Sequence, residues 1–292
     1  MGNPCNLRTT MKIEQQWTEE IKSNDSLFSI NFKEVWQYRD LLMMLVKKEY
    51  ITFYKQTILG PIWFFVQPIL TTLIYVLLFG QIAKLSTDGS PQIAFYLSGI
   101  TLWNYFSESL TKTASVFKDN AAVMGKVYFP RLIMPLSIVV SGLMKFAIQF
   151  ALFICVILYF TFVKGLIHPN VWILATPFLL LLMACFSLGM GMIFSSLTTK
   201  YKDLVFLLTF GIQLLMYASP VVYSVSSIPE KYKWILLANP LTGIFECFRY
   251  GFLGTGSFEP YSLIMSTGVT LIILAIGVLI FNKVEKSFMD TV

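Results

Sequence analysis

Long uncharged apolar stretches alternate along the chain with short segments in which Lys, Arg, Asp and Glu gather, and this alternation predicts six membrane-crossing helices. Gln56 to Ala83, for example, contains no charged residue. Hydrocarbon offers the backbone no partners, so an apolar run of roughly 20 residues is stable there only as a helix with internal hydrogen bonds. The first span is expected from Pro61 to Ile82, where Pro61 suits a first helical turn because its missing N–H would have no partner there. The others are expected at Ile93–Val116, Leu132–Phe162, Val171–Leu197, Leu204–Tyr223 and Tyr261–Phe281. At 1.5 Å per residue the third is longer than a bilayer is thick and must tilt, bend or protrude, with Pro135 permitting a kink. Gly189 and Gly191 in the fourth allow close helix packing. Pro220 is expected to distort the fifth.

Two segments break the alternation. From Val35 to Tyr54 the apolar residues Val35, Tyr38, Leu42, Leu45 and Phe53 recur at helical spacing, opposite Gln37, Arg39, Asp40, Lys47, Lys48 and Glu49. That pattern predicts an amphipathic helix lying on the membrane surface. Between Ser224 and Pro260, the apolar pieces Trp234–Ala238 and Thr242–Leu253 are separated by Asn239-Pro240, and each is too short to cross. They predict two half-helices dipping into the outer leaflet, a geometry tolerated only inside protein or beside a water-lined cavity. The chain thus divides into a tail at 1–34, an interfacial helix at 35–59 and a transmembrane domain at 60–292. That domain includes a short helical loop near 117–130 and the half-helices near 228–256. Glu14, Glu19, Glu20 and Asp25 in the tail argue against a cleaved signal peptide.

Composition makes the class firm. The chain is 56% hydrophobic and 13% charged, with a mean hydropathy of +0.68, whereas soluble domains carry about a quarter charged residues. An all-α membrane protein follows. The net charge of +6 could suggest nucleic acid, but the basic residues sit in short inter-helix segments and form no continuous face. Lys84, Lys164, Lys231, Lys233 and Arg249 fall on one side, Lys145 within a span, and the remaining Lys and Arg on the other side. The positive-inside rule then places both termini in the cytoplasm. Cys5, Cys155, Cys185 and Cys247 have no metal-ligand spacing, so neither a metal site nor a disulfide framework is expected. No internal repeat is evident, unlike many secondary transporters.

Candidate chemistry is sparse. No phosphate-binding G-x-x-x-x-G-K-[ST] occurs, and Gly125-Lys126 lacks the preceding glycine. With His168 as the only histidine and no acidic cluster within the spans, acid–base catalysis has little support. Glu108 is the clear acidic residue inside a span. Two antiparallel helices joined by the 117–131 loop would bring it to the depth of Lys145, which predicts an interhelical pair; the alternative is that each snorkels separately. Trp63, Phe64, Tyr75, Tyr105, Tyr217 and Tyr223 offer ring faces and phenol hydroxyls for a sugar path, against ordinary packing as the plainer role. Arg39, Lys47, Lys48 and Lys55 form a basic entrance suited to an anionic lipid-linked substrate, although a simple membrane anchor explains the same helix.

Three stretches, YKQTILGPIWFFVQP at Tyr54–Pro68, FPRLIMP at Phe129–Pro135 and NPLTGIFECFRYGFLG at Asn239–Gly254, together resemble the permease subunits of ABC exporters for O-antigen, capsule and teichoic acid. The resemblance covers about residues 35 to 285. It implies a homodimeric pore served by two copies of a separate ATPase subunit, with ATP and Mg on that partner and no cofactor in this chain. It further implies that Lys118, Asp119, Asn120, Met124, Gly125 and Lys126 form a coupling helix docking on the ATPase. Trp234, Asn239, Pro240, Phe245 and Arg249 would form an outer gate. The cargo implied is a polysaccharide on undecaprenyl diphosphate, exported across the bacterial inner membrane. The same scaffold could carry a drug or another lipid, and an ion-coupled carrier would rely on Glu108. A membrane glycosyltransferase would need an acidic constellation that the sequence does not offer.

Overall fold

Each predicted span is a helix in the computed structural model, which describes residues 32–55, 62–120, 129–201, 203–256 and 258–288. Residues 1–31 of the tail, Pro61, Met124, Gly125 and Lys126 lie outside the described residues. Helix α1 (Phe32–Gln37) and α2 (Arg39–Lys55) precede the first span, which runs through α3 (Trp63–Tyr75) and continues as a π-helix over Val76–Ile82. Pro68 inside α3 removes a backbone donor. The Thr71 and Thr72 hydroxyls donate to the carbonyls of Gln67 and Pro68 at 2.9 and 2.7 Å. The second span is α4 (Gln92–Ala114), followed by the single turn α5 (Val116–Asp119). The third is α6 (Ile133–Leu158), extended by a π-helix at Tyr159–Val163, and the fourth is α7 (Thr176–Lys200), entered through a 3₁₀ turn at Val171–Ala175.

The later elements are α8 (Leu204–Tyr217), α9 (Glu230–Leu237), α10 (Pro240–Leu253) and α11 (Pro260–Phe288). Helices α9 and α10 are the two half-helices. Asn239 caps α10 by accepting from the Leu241 N–H at 3.0 Å, Pro240 opens it, and Gly254 closes it in the left-handed region at φ 70°.

The fifth span is shorter than expected. It ends at Tyr217 after 14 residues instead of reaching Tyr223, and the chain turns through 218–224. Pro220 has no N–H to continue the ladder and would crowd the preceding turn, so the helix stops. The freed carbonyls are claimed by side chains described below.

Burial inverts along the spans. The four longest apolar helical segments bury only 17–33% of their most apolar stretch, as helices facing lipid should. Helix α4 carries Ser98, Thr101, Asn104, Ser107, Glu108 and Lys112, yet it forms the centre of the larger core through Tyr96, Leu102, Phe106 and Leu110. Its least apolar sequence is shielded by protein, not lipid. Phe153 of α6, Phe186 of α7 and Phe245 and Phe248 of α10 complete that core. A second cluster, Val116, Phe117, Phe129, Ile133, Met134, Met192 and Phe281, gathers at the end assigned to the cytoplasm. Leu41, Leu42 and Leu45 lay the apolar face of α2 against it, with Tyr38 of the preceding turn beside them.

Close backbone contact joins α7 to α11, beside the side-chain packing of Met192 and Phe281. A Cβ on Gly277 would stand 2.4 Å from the Gly189 carbonyl oxygen, and one on Gly189 would meet the Leu274 Cα at 2.8 Å. Gly191 turns the other way, toward the Thr113 side chain of α4.

Candidate functional site

Two polar constructions occupy opposite ends of α4. At its N-terminal end, Arg249 of α10 is 6% exposed and spends its guanidinium on the broken end of α8. It donates to the Pro220 and Val221 carbonyls at 2.6 Å each, to the Tyr223 carbonyl at 3.3 Å and to Ser98 Oγ at 3.2 Å. The Phe95 ring lies 3.8 Å beneath it, so charge, dipoles and ring face share the desolvated cation. Asn239 ties down the same turn, donating to the Ala218 carbonyl at 3.1 Å and to Ser219 Oγ at 2.8 Å. Gly99 lets the turn approach: a Cβ there would be 2.5 Å from the Val221 oxygen.

Asp88 adds a third strap by accepting from the hydroxyls of Ser224 and Ser226. It adopts φ 53°, a left-handed conformation that Asp tolerates better than most residues. Glu246, half-buried, faces a small cavity with Asp88 and Arg249.

The proposed outer-gate residues therefore separate by role. Asn239, Pro240 and Arg249 build and fasten the half-helix pair, Phe245 is fully buried in the core, and Trp234 is 68% exposed on α9.

At the C-terminal end of α4, four charges form a chain across three helices. Lys112 of α4 lies 2.5 Å from Glu49 of α2 and 3.1 Å from Glu108 one turn earlier, while Lys145 of α6 bonds to the same Glu108 oxygen. Lys145 also sits 5.6 Å from the Phe64 ring centroid. The structure thus brings Glu108 and Lys145 together, and it adds Glu49 and Lys112, which the sequence reading did not single out. Spacing could have found Lys112, since Glu108 and Lys112 stand four apart on one helix. Nothing local marks Glu49.

Beside this chain is a cavity of about 200 Å³ lined by Lys48, Glu49, Lys112, Asp119, Asn120 and Ser137. Of the basic entrance residues, Lys48 reaches it. Arg39 is exposed, 3.9 Å from Asp40 and 5.7 Å from the Trp36 ring, and Lys47 is exposed. The Lys55 side chain lies outside the described part. In the coupling segment Lys118 is exposed, Asp119 accepts from Ser115 Oγ at 2.5 Å, and Asn120 donates back to the Val116 carbonyl at 3.1 Å.

The aromatic candidates do not share one wall. Phe64 and Tyr105 are 5% and 4% exposed, with Tyr105 donating to the Val139 carbonyl at 3.4 Å and packed edge-on to Phe146. Both are buried by neighbouring helices within this chain. Tyr75 bonds to Met216 Sδ at 3.5 Å and meets Phe79 and Tyr96 edge-on, which joins the first span to α8. Tyr223 donates to the Tyr217 carbonyl at 3.1 Å; Tyr217 and Trp63 are exposed.

Comparison with known proteins adds a family context. The sequence pattern of the family described as ABC-2 type transporter matches residues 40–253. Over 252 residues the chain is 32% identical to the O-antigen export system permease protein RfbA of Klebsiella pneumoniae, covering 86% of this chain and 94% of that one. It is 27% identical over 265 residues to the O-antigen export system permease protein RfbA of Myxococcus xanthus, covering 89% and 98%. The capsule polysaccharide export inner-membrane protein CtrC of Neisseria meningitidis is 25% identical over 253 residues, covering 83% and 90%.

Proposed function

Because this chain belongs to the ABC-2 type transporter family, we propose that it is the membrane subunit of an ATP-driven exporter of a lipid-linked surface polysaccharide across the bacterial inner membrane. The observation that carries this reading is the near end-to-end similarity to O-antigen export permeases, which spans the half-helices as well as the long spans. ATP binding and hydrolysis belong to a separate subunit, in keeping with the missing phosphate loop.

Two copies of the chain form the pore and two ATPase subunits drive it, docking at 117–130. Both termini face the cytoplasm, as the distribution of Lys and Arg favours. The carrier is undecaprenyl diphosphate. Its anionic head enters beside α2, near Lys47, Lys48 and Lys55, where basic side chains attract phosphate. Trp63, Tyr75, Tyr217 and Tyr223 are the aromatics best placed to meet sugar rings. The pair α9–α10 closes the outer end, fastened by Arg249 and Asn239.

Deleting the gene in its host should accumulate lipid-linked glycan inside the cell and strip it from the surface. Affinity purification of the tagged chain should bring down an ATPase subunit. Normal surface glycan in the deletion strain would overturn the reading.

A further inference from the structure

We propose that the cleft between α2, α4 and α6 is a phosphate-ester site in which Lys112 binds the carrier's diphosphate and Glu49 holds its place until the anion arrives. This rests on the export reading above and assigns its headgroup a specific seat, deeper than the exposed lysines of α2.

The geometry points there for three reasons. Lys112 stands in the last turn of α4, where the helix C-terminus favours a cation, and it contacts two carboxylates at once. Among the described residues Glu108, but not Glu49, has a second lysine, Lys145. Glu108 therefore stays neutralised by Lys145 when Lys112 takes another anion.

Second, the Lys112–Glu49 contact is half-exposed, with side chains 36% and 46% accessible, and such pairs are weak because water and salt screen them. A diphosphate offers more charge and more acceptor oxygens than one carboxylate and displaces it. Third, the adjoining space of about 200 Å³ far exceeds the roughly 30 Å³ share of one water; Lys48, the Asn120 amide and the Ser137 hydroxyl line it with further donors, and the Asp119 carboxylate, which accepts from Ser115 Oγ, is with Glu49 an acidic group on its wall.

Glu49 also gives the displacement a mechanical outcome. Among the described side chains of α2, Val46 is the buried one, and the rest are partly or fully exposed. Helix α2 is thus held by a shallow apolar face, with this ion pair among its polar contacts. Replacing Glu49 on Lys112 removes one polar tether between α2 and α4, so headgroup arrival loosens the wall of the cleft.

The test measures binding of undecaprenyl diphosphate to the full-length chain in phosphatidylcholine nanodiscs. Lys112→Gln should weaken binding roughly tenfold or more, the scale of a lost charge-assisted hydrogen bond. Glu49→Gln should tighten it about threefold, since the competitor is gone. Lys112→Arg, which retains the charge, should stay within about threefold of the parent and so separates lost contact from lost folding. The exposed Lys231→Gln serves as an unaffected control.

Opposite signs for Glu49→Gln and Lys112→Gln are the signature. A purely structural ion pair predicts loss in both, and that result, or no change in either, overturns the proposal. Competition by inorganic diphosphate would support recognition of the anion itself. Equal competition by phosphatidylglycerol would reduce the site to general anionic-lipid binding and overturn it. These measurements use the isolated chain, so a failed site and a failed export reading, the latter seen as unchanged surface glycan, are told apart.

Discussion

Arg249 donates to the Val221 carbonyl at 2.6 Å and thereby fastens a half-helix to the turn that interrupts the fifth span. The contact spans 28 residues of sequence and satisfies a carbonyl released where α8 breaks. Replacing Arg249 with Gln should destabilise the protein by about 3 kcal/mol, because several buried carbonyls lose their donor together. Thermal unfolding in detergent followed by tryptophan fluorescence checks this, with Arg249→Lys expected to recover only part of the loss, since an ammonium cannot reproduce the guanidinium fork.

Gly99→Ala should cost about 1–3 kcal/mol, because its methyl would press on the Val221 oxygen and sit 2.8 Å from Arg249 Nη2. Gly211→Ala on α8 has no atom within 4 Å of the added carbon and should be neutral or slightly stabilising. The same unfolding measurement on both variants isolates crowding from helix propensity. Equal effects would refute the close approach.

Glu108→Gln leaves Lys112 and Lys145 sharing no carboxylate between α4 and α6, and should cost about 1–2 kcal/mol after allowing for partial exposure. Combining it with Lys145→Met should cost less than the two single changes added together. A double-mutant cycle with a coupling of about 1 kcal/mol would establish the pair, and strict additivity would remove it.

Asn239→Ala should lower stability by about 1–2 kcal/mol through loss of the α10 cap and of the bonds to Ala218 and Ser219. Asn239→Asp keeps the cap acceptor but loses the amide donor. Its intermediate unfolding temperature would separate the two contributions.

What could be read from the sequence was whatever depends on local pattern. Apolar runs gave the helices, and Asn239-Pro240 marked the start of α10, because caps and proline act within one turn. Glu108 and Lys145 were legible as a pair because a loop of known length sets two antiparallel helices at matching depth. Glu49 was not, since its partner is 63 residues away on a helix whose orientation no pattern sets. The burial of Phe64 and Tyr105 was not legible, because an aromatic side chain looks the same in sequence whether it faces a path or a core. The length of α8 was overestimated for a similar reason: Ala218 to Tyr223 is apolar enough to continue a span, and only the donors from Arg249 and Asn239 reveal that its carbonyls are used elsewhere.

The brevity of α8 also bears on the lipid around it. Fourteen helical residues rise about 21 Å, against a hydrocarbon thickness of roughly 30 Å. Phe206, Leu207, Phe210 and Leu214 are exposed along this helix, so one flank presents lipid with an apolar belt that is too short. Such a mismatch is met by covering the flank with another subunit or by local thinning of the bilayer, and thinning would draw headgroups and water inward toward the turn held by Arg249. A hydrophilic polymer leaving beside α8 would meet a narrower apolar barrier than the membrane presents elsewhere.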